Sequence, residues 1–216
     1  MRNIFDGTSH VLVLSAHTDD AELGCGGTIA RLLANGAVVS VVAFSSAQES
    51  LPAGSPGDRL RCEFLRAMTM LGVEPKRALV HAYPVRRLSH HRQEVLEELV
   101  KLKRELKPEV VFVTSSTDVH QDHQVLYGEA VRAFRDITVW GYELPWNHIT
   151  FSAHAFVELE REHLDRKWAS LQAYESQIEL QRSYFSKDFI YGLARVRGEQ
   201  VKAEYAEAFE VIRVKW

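Results

Sequence analysis

Two short stretches concentrate side chains that can bind a metal ion and move protons: Ala16-His17-Thr18-Asp19-Asp20-Ala21-Glu22 and Asp118-Val119-His120-Gln121-Asp122-His123. Neither contains cysteine, and zinc then takes histidine nitrogen and carboxylate oxygen. A catalytic zinc uses three protein ligands and leaves one position for water. His17, Asp20 and His123 would supply two nitrogens and one carboxylate, for one Zn2+ or another divalent ion per chain. Asp19, beside a ligand, would take a proton from water, and His120 would face the substrate from the other side. Either stretch alone has a plainer reading. A single His-x-Asp is ordinarily a solvated turn, and Asp19 and Asp20 would also suit a helix N-terminus.

The elements that must carry these stretches strengthen the metal reading. Apolar runs at 10–15, 37–44, 78–81, 110–114 and 138–142 predict five buried strands. Between them, helical patterns run from about Gly27 to the stop at Gly36, over 60–71, over 91–106 and over 125–134. A further helix is expected over 164–177 and a last strand within 205–214. Alternation of this kind predicts an α/β fold, a Rossmann-like parallel-sheet sandwich with helices on both faces, as a single domain over 1–216. Ligands bind such sheets beyond the carboxyl ends of the strands, where the strand order reverses. With the common order 3-2-1-4-5, the reversal lies between the first and fourth strands, so the two stretches should meet across one crevice.

The glycines of Leu23-Gly24-Cys25-Gly26-Gly27-Thr28 also raise a dinucleotide site. That reading fails on spacing: the third glycine of G-x-G-x-x-G would fall on Ile29, and no acid ends the second strand. Arg59, Arg61, Arg86 and Arg87 are candidates to read a phosphate or carboxylate on a substrate, or form a solvated basic surface. Tyr142, Trp146 and His148 follow or end a strand at the same edge and are candidate substrate contacts. The segment Ser45 to Asp58 is rich in glycine and proline and reads as a lid or as a plain surface loop.

Bulk properties exclude several classes. The chain has 216 residues, 46% of them hydrophobic and 25% charged, with a net charge of −3. That balance offers no global basic surface for nucleic acid or an anionic membrane. The start, MRNIFDGTSH, lacks the pattern of a signal peptide, and no apolar run is long enough to insert in a bilayer. Only two cysteines occur, Cys25 and Cys62, which points to the reducing cytoplasm rather than to a disulfide framework.

AHTDDAELGCGGTIA at 16–30, HQDH at 120–123, Leu71-Gly72, AYESQ at 173–177 and YAEAF at 205–209 together resemble the LmbE-like, PIG-L-type zinc-dependent N-acetylglucosaminyl deacetylases. The resemblance runs nearly from end to end. It implies zinc on His17, Asp20 and His123, Asp19 as general base, and His120 as oxyanion stabiliser or acid with Asp122 orienting it. It further implies a small amino-sugar conjugate as substrate and a homo-oligomer. Thr18 replaces the usual proline, and Ala21 stands where an acid is common. Some members use an oxyanion tyrosine, for which Tyr184 and Tyr191 are the candidates. Two rivals remain: a metal-dependent hydratase or lyase on the same scaffold, and a non-catalytic sugar-binding module that would not need Asp19.

Overall fold

The computed structural model describes residues 10–215; residues 1–9, which carry most of the stretch read for a signal peptide, lie outside them. The strands of the parallel half are apolar on both faces because both faces are covered. Along β1 (His10–Ser15), Val11 and Val13 enter one core while Leu12 and Leu14 enter a second. The first core takes α1 (Asp20–Ala34), α2 (Arg59–Leu71) and α5 (Arg161–Gln172) through Ile29, Phe64, Met68, Leu71 and Leu164. The second takes α3 (Arg92–Leu106) and α4 (Gln121–Ala133) through Val95, Leu99, Leu102, Leu126 and Ala130.

The other strands are β2 (Val38–Ala43), β3 (Ala78–Val80), β4 (Val110–Thr114), β5 (Thr138–Tyr142), β6 (Ala155–Leu159) and β7 (Tyr205–Arg213). They form one seven-stranded sheet in the order β3-β2-β1-β4-β5-β7-β6. The first five strands are parallel, in the expected order, and the reversal falls between β1 and β4. The sheet is thus mostly parallel, as expected; at its far edge β7 runs antiparallel to both β5 and β6. No helix among the described residues is long and apolar enough to cross a membrane.

Several boundaries move, and the moves matter for the site. Helix α1 starts at Asp20 rather than near Gly27, because Asp20 and Glu22 favour its positive end and the glycines lie inside it. Helix α4 starts at Gln121 rather than Val125, so Asp122 and His123 sit in its first turn. The helix expected over 164–177 is instead α5 followed by a short α6 (Glu175–Glu179). Strand β6 and helix α7 (Lys187–Glu199) were not expected from the sequence.

Candidate metal centre and active site

Adjacent strands β1 and β4 release the chain at the same edge of the sheet, which brings the two histidine–aspartate stretches together. His17 follows β1, and Asp20 opens α1. Asp20 Oδ2 accepts the His17 backbone N–H at 2.8 Å. His123 stands in the first turn of α4, capped by His120. Three atoms converge: His17 Nδ1 lies 3.2 Å from His123 Nε2, and Asp20 Oδ2 lies 3.4 Å and 3.3 Å from these two nitrogens. Donors ~2.0–2.1 Å from a tetrahedral ion lie about 3.3 Å apart, so the spacing suits one.

The far nitrogens are braced. His17 Nε2 donates to Asp122 Oδ2 at 3.0 Å, and His123 Nδ1 donates to Asp118 Oδ2 at 2.7 Å. A carboxylate behind a ligating imidazole fixes its tautomer and makes the free nitrogen a better donor. Burial opposes charge on His17, but Asp20 and the hydrogen bond to Asp122 outweigh it and hold its pKa up at about 9. The same contest on His123, won by Asp20 and Asp118, gives about 10. Burial would raise Asp20, yet the two imidazoles hold it well below the usual carboxylate range. The pocket thus favours positive charge where those three atoms meet. A group formed by His17, His120 and His123, each offering one nitrogen within 4.8 Å of the others, could also hold a metal ion.

Asp19 and His120 flank this centre differently. Asp19 is half-buried beside Asp20 and caps α1 without a side-chain hydrogen bond. Burial and then the Asp20 charge lift its carboxyl to about 6. His120 Nδ1 accepts the backbone N–H of Asp122 at 3.2 Å, so in the neutral ring Nε2 carries the proton. Burial and the neighbouring histidines push its pKa down to about 4.

Asp122 is where the structure departs most from the implied roles. Its carboxylate bonds to His17 and accepts the N–H groups of Arg86 (2.5 Å) and Leu88 (3.1 Å), not His120. Only its backbone N–H meets His120. Asp118, given no role from sequence, braces His123 and accepts His120 N–H at 2.9 Å. Its place in the same stretch as both histidines was the available signal. Two further carboxyls, half-buried Glu210 and buried Glu22, support the loops. Glu210 of β7 accepts Ser116 N–H (2.7 Å) and Oγ (2.6 Å). Burial raises Glu22 well above the usual range, and it shares a 2.7 Å hydrogen bond with Tyr174, whose hydroxyl donates to Thr18 O.

The centre floors a cavity of about 510 Å³ that Arg86, Trp146, Arg182 and Tyr184 help line. Trp146 and Tyr184 stack 3.9 Å apart at 12°, and Arg182 donates to the Tyr184 hydroxyl at 2.5 Å. The segment expected as lid or surface loop contributes Ala47, Glu49 and Ser50. Four expected substrate contacts lie elsewhere. Tyr142 is fully buried, with its hydroxyl donating to Leu14 O at 3.0 Å. Arg59 is taken up by Glu63 (3.1 Å) and Glu179 (2.7 Å), and Arg61 donates to Val80 O at 3.1 Å. His148 accepts Leu144 N–H at 3.2 Å and bridges to Asp118 through its backbone, outside the lining. Of the two tyrosine candidates, Tyr184 lines the cavity and Tyr191 instead bonds to Asp165.

Residues 12–134 match the PIG-L family, described as GlcNAc-PI de-N-acetylase. The chain is 30% identical over 171 residues to the uncharacterized deacetylase YaiS of Escherichia coli K12, covering 77% of this chain and 90% of that protein. Its fold resembles the N,N'-diacetylchitobiose deacetylase of Pyrococcus horikoshii, with a TM-score of 0.81 and 21% identity over 98% of this chain and 86% of that one. It also resembles GalB, the 4-carboxy-2-hydroxymuconate hydratase of Pseudomonas putida KT2440, with a TM-score of 0.75 and 22% identity over 96% and 98% of the two chains. The chain belongs to the PIG-L family of de-N-acetylase hydrolases.

Proposed function

We propose that this enzyme hydrolyses the N-acetyl group of an N-acetylglucosamine-type conjugate, with one zinc held by His17, Asp20 and His123. The observation that carries the reading is the 3.2–3.4 Å triangle of donor atoms, with both histidines braced from behind. A divalent ion in that triangle supplies a Lewis acid that lowers the pKa of water and polarises a carbonyl. Asp19, a non-ligating carboxylate at the cavity floor, takes the proton of the attacking water. The water oxygen then bonds to the amide carbon. His120 donates its Nε2 proton as a hydrogen bond to the developing oxyanion; one such donor is worth about 3 kcal/mol. Asp19 then returns a proton to the amide nitrogen, the C–N bond breaks, and acetate and a free amine leave. Protonation is required because an amide nitrogen is a poor leaving group.

On the cavity rim, the Trp146–Tyr184 platform suits the face of a sugar ring, and Arg86 and Arg182 suit an anionic substituent of the conjugate. Free Cys25 and Cys62 support a cytoplasmic location. The test is acetate release from N-acetylglucosamine conjugates, before and after chelation and zinc return, beside acetylated lysine peptides. Zinc-dependent turnover of the sugars is expected, with little of the peptides. Turnover of peptides at equal or higher rate overturns the substrate, and activity that survives full metal removal overturns the mechanism. The hydratase reading shares only the fold of GalB, and absence of acetate release from every acetylated conjugate would favour it.

A further inference from the structure

Helix α1 is broken at Cys25, whose φ of −144° and ψ of 24° lie outside the helical region. An unbroken helix would join Gly27 N–H to Leu23 O and Thr28 N–H to Gly24 O. Instead, Gly27 N–H donates to Glu207 Oε1 at 3.0 Å. Thr28 donates to Glu207 Oε2 through its N–H at 2.7 Å and its hydroxyl at 2.6 Å. Leu23 O accepts Lys167 Nζ at 2.8 Å, and Lys167 and Glu207 pair at 2.7 Å. A carboxylate therefore meets the start of the second helical segment, and an ammonium meets the end of the first. Each sign matches the local helix dipole.

The glycines make room for this insertion. A Cβ at Gly26 would lie 2.9 Å from Lys167 Cγ, and one at Gly27 would lie 2.5 Å from Leu159 Cδ1 and 3.2 Å from Glu207 Oε1. Lys167 is 4% exposed and Glu207 6%. A buried ion pair of this kind is seldom more stabilising than apolar side chains of the same volume. Its value is therefore sought in what it holds: the separated first turn of α1, with Asp19 at its cap and Asp20 as its first residue.

We propose that Lys167 and Glu207 are positioning residues that splint the broken helix and thereby aim Asp19 and Asp20 at the metal centre. The inference rests on the metal-dependent deacetylase reading. Lys167→Met and Glu207→Gln should each weaken zinc binding about 10–100-fold, the usual effect of losing support behind a metal site. In chelator competition this reads directly, without any turnover. kcat on an N-acetylglucosamine conjugate should fall more than KM changes. The double variant removes the lone buried charge, so its thermal midpoint should recover relative to Lys167→Met while zinc affinity and kcat stay low. A purely structural pair predicts the opposite, a lowered midpoint with wild-type zinc affinity, and that result overturns the proposal. Failure of the wild-type protein to bind any divalent ion would instead sink the reading of the site. Should the variants not fold, hydrogen exchange on the wild-type chain decides. Zinc should protect the Gly27 and Thr28 amides more than those of Leu99 and Leu102 in α3, and equal protection refutes the splint.

Discussion

The floor and the rim of the cavity are built on opposite principles. On the floor, each side chain of the donor triangle comes from a strand end or a first helical turn, and both histidines have a buried carboxylate behind them. On the rim, Trp146, Arg182 and Tyr184 come from connecting segments and are held by one another. On the proposed reading, chemistry that needs fixed geometry sits on rigid elements, while substrate choice sits where the backbone tolerates change. Substitutions on the floor should therefore act on metal content or kcat, and substitutions on the rim on KM.

The largest effect is expected from His123→Ala. It should remove most of the metal and nearly all activity while circular dichroism shows the sheet intact; full metal occupancy measured by elemental analysis would refute the donor triangle. Asp19→Asn should retain the metal and lose ~10²–10⁴-fold in kcat, the scale of a general acid–base group, with KM nearly unchanged. Loss of metal from this variant would show Asp19 to be a ligand. Asp118→Asn should weaken metal affinity about 10–100-fold by leaving His123 without its brace, read by chelator competition. The smallest effect belongs to the rim. Trp146→Ala should raise KM for a sugar conjugate roughly 10-fold, about 1.4 kcal/mol, and leave kcat near wild type. A fall in kcat with constant KM would erase the division between floor and rim.

The floor was legible in the sequence because its side chains lie within a few residues of one another at two strand ends. The parallel half of the sheet was legible for a related reason: a strand buried on both faces is apolar at every position, as Val11 to Leu14 show. The edge was less visible. Strand β6 does alternate, with Val157 and Leu159 buried and Glu158 exposed, but five residues of period two are a weak signal. Helix α7 has its own cap, Ser186 accepting Phe189 N–H, which the expectation passed over. Arg59 and Arg61 carry the right charge for substrate recognition, yet partners brought by the fold, Glu179 and Val80 O, use their hydrogen bonds elsewhere. Tyr142 closes its strand, but only the fold shows its ring turned under Gly24. Asp122 was placed correctly in the cluster and misread in direction, since nothing in HQDH says which histidine its carboxylate meets.

Strand β7 holds both halves of the centre. Its Glu207 reaches Gly27 and Thr28, 180 and 179 positions earlier in the chain, and its Glu210 reaches Ser116, 94 positions earlier. On the ribosome, at ~5–20 residues per second, roughly 4–17 s separate the synthesis of His123 from that of Glu207. Throughout that interval the nascent chain carries all three side chains of the triangle and the braces Asp118 and Asp122, but not the β7 glutamates that tie α1 and the segment after β4. On the proposed reading, a metal ion that meets them before β7 docks meets a centre whose two supporting segments are not yet tied down.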